Sequence, residues 1–431
     1  MSPSPRLRTP WTAIATILML PIAGACGDTT GPGDGADPVT QLPRALTADE
    51  QAVIARSTGF GMELMARSVA EDDRPNIVLS PLSASMALGM TMNGAVGPTF
   101  DAMRATLGFD GLTQEQINSG YQSLIELLTA LDPEVDVRLG NAVWANDGVP
   151  FHTDFFDTVR EAFDAAVETR DFADASTLDA INAWADQATN GMIERVLNEL
   201  DPDLVLLLMN AVAFDASWTE RFDPDDTRSA EFRRADGSTV AVDMMQKEGV
   251  ELPLGSGDGW TAVEIPYGGG AYAMVVVVPW QDDVRPLVAE WDAADWADLK
   301  AALTVQELDL LRLPRFTVAH DAFLNPVLEA MGMGIAFGSE ADFSGLSPIG
   351  AGLCIDFVRQ KSFIEVDEAG TRAAAVTTVG IGPTSFTGLI ADRPFFFALH
   401  ERLSGTLLFT GVIGDPGVED SGPAEGSGRC H

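Results

Sequence analysis

Residues 363–397 read FIEVDEAGTRAAAVTTVGIGPTSFTGLIADRPFFF, a small-residue and nearly uncharged segment set between two apolar, strand-like runs. If the chain from Thr371 onward were extended, alternate side chains would point to opposite faces, placing Thr371, Ala373, Ala375, Thr377, Val379 and Ile381 on one side. That side is small or β-branched and carries no charge. Arg372 is the only ionised residue between Glu368 and Asp392. It falls on the opposite face, where a strand added to a sheet leaves it in water. The pattern therefore permits burial of this segment as a strand. Composition alone also permits a surface helix through the three consecutive alanines Ala373, Ala374 and Ala375, or a plain loop, and these are the commoner outcomes.

Outside this segment the chain alternates helix and strand signals. Thr47-x-x-Glu50 is a capping-box spacing that opens an apolar-periodic stretch through about Val69, and Ser80-Pro81 reads as an N-cap followed by proline in the first helical turn. LVLLLMNAVAF and AMVVVVP are continuous apolar runs with β-branched content, as expected of strands covered on both faces. The mixture implies an α+β fold, a large sheet with helices packed around it. No internal repeat or long mid-chain linker divides the 431 residues, so one domain is expected.

The charge balance is strongly acidic, with 64 Asp and Glu against 26 Lys and Arg and a net charge of −38. Nucleic acid and anionic membrane surfaces are repelled by such a chain and are excluded as partners. Solubility in salty surroundings is the simpler meaning. Cys354 lies in the apolar stretch LCIDFV and reads as a buried core thiol, whereas Cys430 sits in the polar tail GVEDSGPAEGSGRCH. An intramolecular disulfide and a link between two molecules through Cys430 both stay open. C-x-x-C is absent and His152, His320, His400 and His431 are scattered, so neither a metal site nor a cofactor is expected. G-x-S-x-G, S-x-x-K and H-E-x-x-H are also absent, which argues against a hydrolase.

At the N-terminus, Arg6 and Arg8 precede an apolar run from Trp11 to Ile22, too short to span a bilayer, which ends in Ala23-Gly24-Ala25-Cys26. This resembles a bacterial lipoprotein signal, with Ala23 where leucine is usual. Lipidation of Cys26 is the expectation, with ordinary secretion and cleavage nearby as the alternative. Gly27 lacks the aspartate that favours inner-membrane retention in some Gram-negative bacteria, which allows export to the outer membrane. Residues 1–25 are thus read as a signal peptide. Residues 26–44, rich in Gly, Asp, Pro and Thr, are read as a flexible linker, 45–416 as the folded domain and 417–431 as a flexible tail. The expected location is secreted or anchored to the cell envelope by a lipid, the only membrane association foreseen.

The flanks of the opening segment resemble the serpin family of protease inhibitors. EVDEAGTRAAA is similar to the serpin proximal hinge and ADRPFFF to the strand after the reactive loop. Further blocks follow in family order from Asn76 to Phe109, Ile181 to Leu197 and Leu204 to Phe222. DMMQKEG, LRLPRF, ADFSGLS and GTLLFTGVIGDP extend the resemblance over roughly residues 47–416. It implies the serpin fold: a large, mainly antiparallel sheet plus smaller sheets, surrounded by helices, with an exposed reactive-centre loop.

It also implies a suicide-substrate inhibitor of serine proteases, trapped as a covalent complex, with papain-like cysteine proteases possible as further targets. The inhibitor is expected to be a monomer. Basic residues are absent between Arg104 and Arg138, where some serpins carry a heparin-binding helix, so no heparin-like cofactor is expected. By position, Glu368, Gly370, Thr371 and Ala373 to Ala375 match the hinge, and Thr384-Ser385 the cleaved bond, with Phe386 as the alternative bait. Thr384 suits elastase-like enzymes, and Phe386 chymotrypsin- or subtilisin-like ones. Ser80, Ser83 and Asn210 correspond to the polar cluster that gates sheet opening, and Trp218 to the aromatic where the loop first inserts. Gln360 stands where that cluster usually has histidine, and Arg372 where an acidic residue is usual. A non-inhibitory serpin, acting as chaperone, carrier or storage protein, is the alternative function. Such proteins typically carry bulky, charged or proline residues on the inward hinge face, and none occurs here before Pro383.

Overall fold

Thr47 and Glu50 form the reciprocal cap that their spacing predicts. The Glu50 amide donates to Thr47 Oγ1 at 3.1 Å and the Thr47 amide donates to Glu50 Oε2 at 2.6 Å. The computed structural model describes residues 38–370 and 387–419. From the cap the chain runs through α1 (Ala48–Glu71), β1 (Asn76–Leu79), α2 (Pro81–Met92), α3 (Gly97–Thr106) and α4 (Gln114–Ala130). It continues with β2 (Val135–Asn146), α5 (Thr153–Phe163), β3 (Ala165–Arg170), α6 (Ala175–Ala188) and β4 (Leu206–Ala216). Then come β5 (Arg228–Arg233), β6 (Thr239–Lys247), β7 (Val250–Gly257), β8 (Trp260–Tyr267), β9 (Tyr272–Pro279), α7 (Arg285–Val288) and α8 (Ala293–Ala302). The last group is β10 (Thr304–Leu308), β11 (Leu310–Pro314), β12 (Phe316–Phe323), α9 (Asn325–Leu328), β13 (Arg359–Val366), β14 (Gly388–Ile390), β15 (Phe395–Glu401) and β16 (Leu407–Ile413).

Seven strands form one antiparallel sheet in the order β1-β16-β15-β9-β8-β7-β10. β9, β15 and β16 are buried along their whole lengths, which is why their sequences are continuously apolar rather than alternating. Two smaller sheets, β3-β2-β4 and β12-β13, lie against this one. Phe214 of β4 meets Tyr267 and Tyr272 edge-on at 5.0 and 5.7 Å, and Phe316 of β12 lies 5.8 Å from Phe395 and Phe397. A fourth sheet, β14-β11-β6-β5, is antiparallel except for the β14-β11 pair. Among the described residues no ladder joins β4 to β13, although these strands flank one another.

Ser80 caps α2 and Pro81 begins it, as expected. The helix is buried almost throughout, consistent with an apolar surface on all sides. Residues on both margins of the expected domain join its body: the Val39 amide donates to Gly269 O at 2.8 Å, and the Ala319 amide donates to Glu419 O at 2.7 Å.

Cys354 departs from the expected core thiol: it is half-buried and disulfide-bonded. The apolar run around it, residues 353–358, forms no strand, and each of its residues is only partly buried beside a cavity. Apolar composition there reflects a lining, not an interior element. No helix among the described residues is long and apolar enough to cross a membrane, and no group of three or more His, Cys, Asp or Glu there is placed to hold a metal ion.

Candidate functional site

The seam between β4 and β13 is closed at one end and open at the other. At the closed end the Trp218 amide donates to Ala369 O at 2.9 Å and the Phe222 amide to Glu368 O at 3.0 Å. The Trp218 indole donates to Asp367 O at 2.8 Å and stacks on Tyr267 with ring centroids 4.2 Å apart. Gly370 bridges to Ser217 there with φ of 148°. A Cβ on Gly370 would lie 2.2 Å from Ala216 O, so no side chain fits at this position.

Glu368 is 2% exposed and needs a cation to remain there. Arg315 supplies it, its Nε lying 2.7 Å from both carboxylate oxygens and an Nη 2.6 Å from Oε1, while Thr227 Oγ1 also donates to Oε1. Asp367 Oδ1 accepts the Ala369 and Gly370 amides at 2.8 and 3.2 Å, and Gly370 O accepts the Asp367 amide at 2.9 Å. Glu368 and Gly370, the two described residues of the expected hinge, thus sit in a latched turn that follows β13. Thr371, Ala373, Ala374, Ala375, Thr384, Ser385 and Phe386 lie outside the described residues, as does Cys26. The chain resumes at Thr387, which exchanges hydrogen bonds with Asp309 at 2.7 and 2.8 Å before forming β14.

Toward its other end the seam widens into a cavity of about 480 Å³. Its walls are residues 204–211 on one side and 352–361 on the other, with α2 residues such as Ser83 and Ala84 beneath. Leu206, Leu208 and Asn210 of β4 are only half-buried, facing this space.

The predicted gating residues divide across the seam. Gln360 holds both backbone polar groups of Ser80, accepting from its amide and donating to its carbonyl at 2.8 Å each. Ser80 Oγ donates to Leu408 O at 2.7 Å and accepts the Ser83 amide at 3.3 Å. Asn210 belongs to the other wall. Its Nδ2 donates to Asn141 Oδ1 at 2.6 Å, and its buried Oδ1 has no partner among the described residues. Trp218 stands apart at the closed end. Asn141, Arg315 and Tyr267 were not anticipated. The buried glutamate of the hinge was the one available signal, since it demands a cation.

The outer side is covered by α6 and the connection that follows it. Asn182 of α6 clamps that connection through the Val196 and Leu197 amides and Leu197 O, at 2.8 to 2.9 Å. Lys361 of β13 donates to Arg195 O at 2.8 Å.

Two pH predictions follow from the groups on β12 and β13. Gln360 does not titrate, so any rate that depends on opening the seam is expected to be flat between about pH 5.5 and 7.5, whereas Gln360→His makes it vary in that window. Rate measurements on both proteins across this range check the claim, and a steep wild-type profile contradicts it. His320 on β12 is 1% exposed, and burial, then the charge of Arg74, pushes its pKa down to about 4 against the pull of Asp72 and Asp321. The folded protein therefore binds its proton less readily than the unfolded chain, whose histidine titrates near 6.5. Stability from neutral His320 is complete above that value and is lost as pH falls through 4, a loss of a few kcal/mol. The unfolding midpoint should drop over this interval in wild type and drop less in His320→Gln.

The sequence pattern for the family described as Serpin (serine protease inhibitor) matches residues 55–416. Human neuroserpin is 31% identical over 392 residues, covering 87% of this chain and 93% of neuroserpin. The thermophilic serpin Tengpin in its native state superposes with a TM-score of 0.77 at 31% identity, over 88% of this chain and 97% of Tengpin. Human thyroxine-binding globulin in complex with thyroxine gives 0.77 at 27% identity, over 86% of this chain and 100% of the globulin.

Proposed function

This chain belongs to the serpin family, and on that premise we propose that it inhibits serine proteases as a suicide substrate. The observation that carries the reading is the seam between β4 and β13, which no ladder closes among the described residues and which ends at Gly370, just past β13. Residues 371–384, extended, span about 46 Å at roughly 3.3 Å per residue, enough to run the length of a strand and beyond. Their alternating small face suits a space floored by α2 and walled by β4 and β13.

In the proposed sequence the protease hydroxyl attacks the Thr384 carbonyl, an ester forms and the amine of Ser385 leaves. Residues 371–384 then insert as a new strand, satisfying the cleft-facing backbone groups of β4 and β13. Each hydrogen bond contributes on the order of 1 kcal/mol net, and burial of one side-chain face adds to it. The intact form is thus a kinetic trap above a more stable state. Insertion carries the tethered protease away and distorts its active site before water resolves the ester. The inhibitor's own residues perform no catalysis. Thr384 points to elastase-like targets, and presentation of Phe386 instead points to chymotrypsin- or subtilisin-like ones.

The test is to mix the soluble domain with elastase-, chymotrypsin-, subtilisin- and trypsin-like proteases and follow the products by denaturing gel and intact mass. A covalent adduct with release of a C-terminal fragment beginning at Ser385 is expected. Cleavage without adduct overturns the inhibitory reading. It favours the second one, a non-inhibitory carrier, whose basis is the likeness to thyroxine-binding globulin.

A further inference from the structure

Thirteen methionines fall within the described residues, and eleven of them are buried; Met192 and Met331 are the two half-buried ones. Met192 is not at the molecular margin. It lies in the connection between α6 and β4, one residue before Ile193, whose side chain lines the large cavity. Nearer the closed end, a narrow gap runs between the walls of the seam. Met192, Phe214, Phe363 and Glu365 border it, and Leu399 and Phe409 of the seven-stranded sheet form its floor. Phe363 and Glu365 are the half-buried, outward members of β13, alternating with buried Ile364 and Val366. Half-buried Met192 therefore borders a gap between the two walls of the seam, reaching it from the connection between α6 and β4. A flexible, polarisable methionine fits such an irregular space between aromatic rings.

We propose that Met192 is an oxidation-sensitive closure of this seam, a modification site for peroxides. A lone pair on Met192 Sδ takes one oxygen of hydrogen peroxide and the O–O bond breaks. The other oxygen leaves as hydroxide and becomes water by taking up the proton that the sulfur-bound oxygen gives up. The sulfur loses two electrons and the peroxide gains them. The sulfoxide places a strongly polar oxygen beside the rings of Phe214, Phe363 and Phe409, which border the gap, and the connection lifts from the seam. This step rests on the proposal that β4 and β13 separate in function, and it sets how readily they do so.

Wild type, Met192→Leu and Met331→Leu are each treated with dilute hydrogen peroxide, and oxidised methionines are located by peptide mass mapping. Deuterium uptake is then followed in peptides covering Leu206–Ala216 and Arg359–Val366. Met192 and Met331 should gain oxygen before the eleven buried methionines. Uptake at both strands should rise several-fold in oxidised wild type and Met331→Leu and stay at the untreated level in Met192→Leu. The proposal is overturned if Met192 stays reduced while buried methionines oxidise, if its oxidation leaves uptake unchanged, or if Met192→Leu responds like wild type. Strand exchange is read without any protease, so a failure to form protease adducts would count against the inhibitory reading and leave this result standing.

Discussion

Ala375→Arg is expected to turn the inhibitor into a substrate, with the loop still cleaved and the covalent adduct lost. Position 375 lies on the face that turns inward if residues 371–384 become a strand between β4 and β13. A guanidinium there must be taken out of water with no partner, at a cost of several kcal/mol. Trapping is a race between insertion and hydrolysis of the ester, and slowing insertion by about 3 kcal/mol shifts that race roughly 100-fold. The stoichiometry of inhibition, read from adduct against cleaved inhibitor on gels, reports this directly. Arg372→Ala is the matching control. By alternation its side chain would fall on the solvent face of that strand, and its removal should change the stoichiometry little. Equal effects at the two positions would contradict the alternation on which the account depends.

Arg315→Ala is expected to shorten the life of the intact form. Glu368 is buried beside the hinge with Arg315 as its cation and Thr227 as an additional donor. Removing one partner of a buried pair leaves the other charge uncompensated and costs about 3–5 kcal/mol, whereas the intact pair itself contributes little against an apolar replacement. The lost energy falls on the turn that anchors Gly370 against Ala216 and Trp218, so the hinge releases more easily. The expected outcome is a lowered unfolding midpoint, together with faster spontaneous loss of inhibitory capacity on storage at warm temperature. Arg315→Lys should lie between the two, because an ammonium keeps the charge but not the forked contact with both carboxylate oxygens. An unchanged midpoint in Arg315→Ala would place the latch elsewhere.

What could be read in the chain beforehand was local. The Thr47 and Glu50 cap, the Ser80-Pro81 start and the buried run of β9 each depend on neighbours a few residues away, and each is realised. Gly370 was singled out by the family resemblance alone, and its close approach to Ala216 O at positive φ, which admits no Cβ, shows only in the structure. The pairings that build the seam could not be read. Arg315 reaches Glu368 across 53 residues and Asn210 reaches Asn141 across 69, separations at which no spacing rule operates. The same limit explains the division of the expected gating cluster. Ser80 and Gln360 meet because β13 passes the start of α2, while Asn210 is carried by a strand with which β13 forms no ladder. The reading of LCIDFV as core failed for a related reason, since apolar residues line a cavity as well as fill an interior.

The central claim is that the seam between β4 and β13 is a vacancy for the chain's own loop, filled once that loop is cut. Calorimetric unfolding of the intact protein and of the same protein nicked in residues 371–386 tests it most directly. If the loop inserts, the nicked form gains a full strand of hydrogen bonds and buried surface. A net gain near 10 kcal/mol raises the midpoint of a domain this size by more than about 10 °C. A nicked protein that unfolds at the same temperature as the intact one, or below it, would mean that the seam stays unfilled and that trapping by insertion does not occur.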